Sequence, residues 1–147
     1  MPVREFPVFT QHQAEISFIE TNNDLKLIVS LDEINKVFIL KYSPDDIEVI
    51  NSFTIKSCHF EEKIIRLLVH KMSLIICLTN YQRLLTFNFY GDLIGAKEIG
   101  FALQTTQITE KVNCIKIFNK ESSELLMGTN LGNVWKVDIF EFYKTEC

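Results

Sequence analysis

Apolar positions along the chain fall into short runs separated by polar clusters, and no run keeps a helical stripe for long. Each run is five to eight residues and rich in Val, Ile, Phe and Tyr, the composition and length of strands. The runs come in triplets. Residues 15–20, 25–30 and 36–42 make the first, 63–68, 74–79 and 83–89 the second, and 111–116, 125–129 and 133–139 the third. Ile16 to Ile64 is 48 residues and Ile64 to Val112 is 48 again, while Val37, Leu84 and Val134 are spaced by 47 and 50. Random apolar clustering does not keep register over three segments in this way.

The fine pattern supports strands. Val134, Lys136 and Asp138 alternate with Trp135, Val137 and Ile139, the period of two that places successive side chains on opposite faces. The continuous run over 74–78 fits a strand buried on both faces. The connections carry turn chemistry: Asn22, Asn23 and Asp24 after one run, and 119–123 after another. Gly132 sits in the 130–133 hairpin, where a positive φ is needed. Pro44 and Gly91 punctuate the approach to a fourth run in two of the triplets, over 47–55 and 93–103.

Four short strands repeated at this spacing approach the ~40–45 residue period of a propeller blade. Residues 125–138 resemble the second-to-third-strand hairpin of a WD-repeat blade: an apolar run, a small pair at Gly128-Thr129, a polar turn with Gly132, then a closing dipeptide at Val137-Asp138. Leu40-Lys41 and Phe87-Asn88 stand at the equivalent positions. The family's Gly-His before the first strand is echoed by His12. His59 is one residue out of step, and Gln107-Ile108 has no His. The resemblance implies an all-β fold of three four-stranded antiparallel propeller-type blades, a partial propeller, in one domain over 1–147. Blade one takes 15–55, blade two 63–103 and blade three 111–143, with an N-terminal outer strand over 3–9 that belongs to no blade in the chain. It also implies that the hydrogen-bonded network pinning each family blade through His and a turn Asp is incomplete here. A small two-sheet sandwich is the rival fold.

Propellers close with about four to eight blades. Three blades leave faces open. Self-pairing into a six-bladed ring, completion of another protein's open propeller, and a shortened relative of a longer propeller are all expected to expose an apolar face.

Composition changes the picture mainly by exclusion. The 147 residues carry 19 acidic and 15 basic side chains for a net charge of −4, without the basic excess of a dedicated nucleic-acid binder. No apolar run approaches the ~20 residues of a membrane helix, and the N-terminal residues lack a secretory segment, so a cytoplasmic or nuclear protein is expected, with no membrane partner. Cys58, Cys77, Cys114 and Cys147 are widely spaced and form no metal-ligand pair with His12, His59 or His70. Cys77 and Cys114 read as small core residues.

Candidate chemistry is thin. Asp45-Asp46 and Glu61-Glu62 are adjacent pairs that a strand sends to opposite faces, so both read as solvated turns. Cys58 beside His59 lacks an orienting third group. His70 reads as an exposed hairpin residue. No phosphate loop or nucleophile elbow occurs. The expectation is therefore no enzyme, no cofactor, no metal and no catalytic residue. The resemblance implies an interaction scaffold or regulatory subunit with a protein partner or self-association completing the propeller. The alternative is an accessory subunit of an RNA-processing or RNA-modifying complex that touches RNA. Trp135, Phe140, Phe142 and Tyr143 are the candidate partner anchors, since aromatics dominate hot spots; for Trp135, packing between blades is the favoured reading, because large aromatics contribute so much to cores.

Overall fold

The computed structural model describes residues 8–70, 74–99, 110–119, 121 and 123–139. They form eleven strands: β1 Ile16–Asn22, β2 Leu27–Asp32, β3 Lys36–Tyr42, β4 Ile47–Thr54, β5 Ile64–His70, β6 Leu74–Thr79, β7 Arg83–Asn88, β8 Leu93–Glu98, β9 Val112–Ile117, β10 Glu124–Thr129 and β11 Val134–Asp138. Two four-stranded sheets run β1-β2-β3-β4 and β5-β6-β7-β8, and a three-stranded sheet runs β9-β10-β11, each a meander. All pairings are antiparallel. The first strands of successive sheets lie side by side, β1 next to β5 and β5 next to β9. This is the all-β, blade-by-blade architecture expected from the sequence. The sheets are called blades one, two and three below.

Some expectations fall outside the described residues. Phe140, Phe142, Tyr143, Cys147 and the Gln107-Ile108 pair are among them, as are 3–7 of the N-terminal segment and 100–103 of the run after Gly91. Val8 and Phe9 are described and belong to no sheet.

The repeat extends to irregularities. The pairing of first and second strands slips once per blade, between Ile16 and Phe18, between Ile64 and Arg66, and where β9 meets Gly128 and Thr129. The third and fourth strands of blades one and two slip at Ile39/Leu40 and Thr86/Phe87. Such bulges bend and twist a strand, so repeating them gives each blade the same twist. The turn between second and third strands also repeats. Its left-handed residue is Asn35 (φ 64°), Gln82 (φ 61°) or Gly132 (φ 83°). The N–H of that residue donates to the carbonyl of Asp32, Thr79 or Thr129 at 3.0, 3.0 and 3.2 Å.

Two cores separate the blades. Leu27, Val29, Leu31, Val37 and Ile39 of blade one meet Ile64, Leu67, Val69, Ile75, Cys77, Leu85 and Phe87 of blade two. On the far side of blade two, Ile76, Leu78 and Leu84 meet Val112, Ile115, Leu125 and Met127 of blade three. Each blade thus has a forward face towards the next blade and a back face towards the one before. Burying one such aliphatic side chain contributes roughly 1.5–3 kcal/mol, so the two seams hold the three sheets together.

Candidate functional site

The most ordered polar chemistry lies at one end of the blades, where each second-to-third-strand turn is pinned to the segment before the first strand. In blade one, His12 Nδ1 donates to Asp32 Oδ2 at 2.8 Å and His12 Nε2 pairs with Ser30 Oγ at 2.6 Å. Asp32 Oδ1 accepts the N–H groups of Ile34 and Lys36 at 3.0 and 2.9 Å, which closes the turn. Phe38 and Phe9 stack edge-on against the imidazole and each other.

Blades two and three build the same pin with a glutamate. Thr79 stands where Asp32 does, and its hydroxyl oxygen accepts the N–H groups of Tyr81 and Arg83 at 3.2 and 3.3 Å. The same hydroxyl donates to Glu62 Oε2 at 2.6 Å. Arg83 grips that carboxylate with both arms, Nε to Oε2 at 2.8 Å and Nη2 to Oε1 at 2.6 Å, and the His59 N–H donates to Oε1 at 2.8 Å. In blade three, Glu110 Oε2 accepts from Thr129 Oγ1 at 2.6 Å, Asn133 Nδ2 at 2.8 Å and Trp135 Nε1 at 3.0 Å. Its Oε1 is buried without a hydrogen-bond partner among the described residues.

These pins decide the electrostatics. Burial alone would raise the Glu62 carboxyl, but hydrogen bonds from Arg83, Thr79 and the His59 N–H, with the Arg83 charge, outweigh it and hold the group at about 2. Asp32 follows the same logic: burial opposes ionisation, while His12 and the Lys36 and Ile34 N–H groups favour it and win, so its carboxyl lies below its ordinary value. Glu110 is lowered by its bonds from Thr129, Trp135 and Asn133. Arg83 is raised by Glu62. Burial pushes the Cys58 and Cys77 thiols upward, aided at Cys58 by the Glu62 charge. Neither is poised as a nucleophile, since the thiolate is the reactive form.

Several readings from the sequence are corrected here. Glu62 is no solvated turn residue; it is 5% exposed and carries the pin of blade two. Asp45 and Asp46 are exposed, as expected, and Asp46 Oδ1 only closes its own turn onto the Ile47 N–H. The His–Asp network expected to be incomplete is formed in blade one by His12 and Asp32; blades two and three carry a different pin, with Glu62 and Glu110 in place of the imidazole and Thr79 and Thr129 in place of the aspartate. His59 enters through its backbone N–H, not its imidazole. His70 is buried at the end of β5, not exposed. Cys77 is core, but Cys114 is exposed. Trp135 is half-buried against the second core with its indole on Glu110. The missed carboxylates had a signal: Glu62 and Glu110 each stand two residues before the strands at Ile64 and Val112.

Two concavities complete the geometry. A cleft of about 390 Å³ lies between the rims of blades one and two, lined by Asp32, Asn35, Glu61 and Glu62 among others. An apolar one of about 310 Å³ lies on the back of blade one, lined by Val8, Phe9, Ile16, Ile19, Ile28 and Leu40. Among the described residues, no three His, Cys, Asp or Glu side chains come together as a metal site would require.

No family model matches the chain, and no curated protein is similar to it in sequence. Solved structures are. The β-propeller domain of Cps50 (Swd1) from Myceliophteria thermophila superposes with a TM-score of 0.60 at 10% identity, over 83% of this chain and 40% of that one. The Pan2 WD40 domain of Neurospora crassa gives a TM-score of 0.53 at 14% identity, over 87% of this chain and 39% of that one. The chain spans about two fifths of the length of these structures. With its meander blades, adjacent first strands and repeated rim pins, the chain has the fold of WD40 β-propeller blades.

Proposed function

We propose that the chain is a non-enzymatic interaction scaffold, a subunit that acts by holding other proteins. One observation carries this reading: part of a face built like the buried seams of the molecule is open, beside the stretch that Phe9 and His12 cover. Ile16 and Ile19 on the back of blade one are 43% and 60% exposed, whereas Ile64 and Leu67 at the same positions of blade two are 8% and 2% exposed. Soluble proteins rarely keep such a patch free. The buried ionisable groups point the same way. His12, Asp32, Glu62, Arg83 and Glu110 are engaged in holding turns, which favours a structural use of these groups over an acid–base one. Fold alone does not assign a function, so the reading rests on the open face.

The test is the hydrodynamic size of the endogenous chain in a gentle extract. Co-sedimentation with a fixed stoichiometry of a second protein is the expected result. Migration at the size of the free chain, at native expression level, overturns the reading.

A further inference from the structure

The two seams between blades are closed differently at the rim. Where blades two and three meet, Gln82 reaches across: its Nε2 donates to the Val112 carbonyl at 2.9 Å and its Oε1 accepts the Val112 N–H at 2.6 Å. A side-chain carboxamide there does what a neighbouring strand would do for that backbone pair. Ile64 stands in blade two where Val112 stands in blade three. Each pairs with a threonine at the end of the second strand, Ile64 with Thr79 and Val112 with Thr129. The residue before each is held alike. The Asn80 N–H donates to the Lys63 carbonyl at 2.9 Å and Asn80 Oδ1 accepts the Lys63 N–H at 2.7 Å; Asn130 holds Lys111 in the same way at 3.0 and 2.8 Å. The N–H and carbonyl of Ile64 therefore point towards blade one, as those of Val112 point towards blade two.

Blade one offers Asn35 at that place. It matches Gln82 in its turn: a left-handed backbone (φ 64° against 61°), an N–H on the carbonyl of the residue three before at 3.0 Å in both, and a carbonyl that accepts the N–H of Ile55 or Ile99 at 2.8 and 2.9 Å. Its side chain is one methylene shorter, and among the described residues no side chain of blade one bonds Ile64. A cleft of about 390 Å³ opens there instead, lined by Asn35 and Ile64 with Ser17, Glu33, Glu61 and Lys63. Ile64 is 8% exposed, and a backbone pair so placed is nearly always hydrogen-bonded to something. The buried carboxylates beside the cleft are already matched, Glu62 by Arg83 and Asp32 by His12 and its own turn. Glu33, Glu61 and Lys63 are exposed, so a ligand meets two negative charges against one positive.

We infer that this cleft is a recognition site for the side-chain carboxamide of a glutamine on a peptide segment, which takes the place that one more methylene at residue 35 would fill. The Ile64 N–H donates to the incoming Oε1 and the Ile64 carbonyl accepts from the incoming Nε2, as Val112 and Gln82 do in the other seam. The half-buried Asn35 carboxamide lies beside them to accept the second Nε2 hydrogen. The segment carries lysine or arginine next to the glutamine, to meet Glu33 and Glu61. A free amino acid would bring its α-carboxylate up to those two carboxylates, whereas a peptide group brings no charge. Glutamate in place of glutamine has no donor for the Ile64 carbonyl. The inference goes beyond the scaffold reading, which rests on Ile16 and Ile19; the cleft is built by blades one and two alone.

The experiment titrates the full chain with the blocked dipeptide N-acetyl-glutaminyl-arginine methylamide and follows the backbone amide shifts by NMR. N-acetyl-glutamyl-arginine methylamide and free glutamine are the comparisons. The expected result is a saturable shift at Ile64, with the glutamyl dipeptide at least about tenfold weaker, because it leaves a buried acceptor unpaired. Asn35→Gln supplies the carboxamide from within and is expected to lose the Ile64 response. Asn35→Gly, which keeps the left-handed turn and leaves the pair open, is expected to bind within about tenfold of wild type. Both variants keep the wild-type shifts away from the cleft, so the loss in one reads as filling and not as unfolding. No saturable shift at Ile64, equal affinity for the glutamyl dipeptide, or an Asn35→Gln chain that binds as wild type overturns the inference. So does free glutamine that binds as tightly as the dipeptide, which would make the cleft a small-molecule site. The open apolar patch of blade one enters none of these outcomes, so the scaffold reading stands or falls by its own test.

Discussion

The rim pins of blades two and three start from the same residue type and end in different chemistry. Glu62 meets a guanidinium that fills both carboxylate oxygens, with its side chain fully buried. Glu110 meets three neutral donors that crowd onto one oxygen and leave the other without a partner among the described residues. The residue responsible is the one after the left-handed turn, Arg83 in one blade and Asn133 in the other. A repeat can thus keep its geometry while trading an ion pair for a set of neutral hydrogen bonds. The two trades fail differently, because a buried charge stripped of its paired cation costs far more than a carboxylate that keeps most of its donors.

The sharpest way to break this comparison is Arg83→Met. It leaves the Glu62 carboxylate buried with only Thr79 and a backbone N–H, and is expected to lower the unfolding free energy by roughly 3–5 kcal/mol. Asn133→Ala in blade three removes one of three donors to Glu110, and its urea midpoint is expected to fall clearly less. Equal losses in the two variants would mean that the guanidinium contributes nothing the neutral donors do not.

Acid sharpens it next. The Glu62 carboxyl is held at about 2, below its ordinary 4.5, so its stabilisation is fully present above pH 4.5 and is lost as pH falls towards 2. Asp32 and Glu110 are lowered as well and act with the same sign. Glu62→Gln removes one of these contributions. Its deficit against wild type, measured by urea unfolding at a series of pH values, is expected to shrink over that window, because the glutamine variant has no ionisation to lose. A deficit that stays constant from pH 5 to 2.5 would show that Glu62 is not ionised in the folded chain.

The legibility of these features follows from what each depends on. Strand positions were readable because a strand buried on one or both faces leaves a local pattern, and β3 and β6 fall on the expected runs 36–42 and 74–79 without shift. The pins were not readable because they are long-range: Glu62 reaches Thr79 and Arg83, and Glu110 reaches Thr129 and Trp135. A carboxylate beside another, as in Glu61-Glu62, looks like a solvated turn until its partners are known. Seeking His at the family position hid the substitution of one acceptor for another. Cys114 was misplaced because its strand borders a face that no fourth blade covers among the described residues, and period alone does not say which face is covered.

Asn133→Arg tests whether the difference between the pins is a single-residue choice. Position 133 holds the place of Arg83 after equivalent turns, and Glu110 Oε1, without a partner among the described residues, is the atom a second guanidinium arm would reach. The expected outcome is a higher urea midpoint than wild type, with the gain abolished by adding Glu110→Gln. A fall in the midpoint would show that Trp135, which already donates to Glu110, leaves no room for the longer side chain.

The smallest effect concerns the seams rather than the pins. Gln82 reaches across from blade two to blade three, its Nε2 donating to the Val112 carbonyl at 2.9 Å and its Oε1 accepting the Val112 N–H at 2.6 Å. Asn35 holds the same turn position in blade one, with the same left-handed backbone, but is one methylene shorter. No such clamp onto Ile64 exists among the described residues, and the cleft lined by Asn35 and Ile64 lies there instead. Asn35→Gln supplies the missing methylene without changing the turn. Two new hydrogen bonds at a half-buried rim are expected to add about 1 kcal/mol, read as a higher urea midpoint and slower amide exchange at Ile64. The gain stays small because the longer side chain loses rotamer freedom when it is fixed. No change in exchange at Ile64 would mean that the seam between blades one and two is wider than one methylene can span, and that the cleft is a property of how the blades are set and not of Asn35.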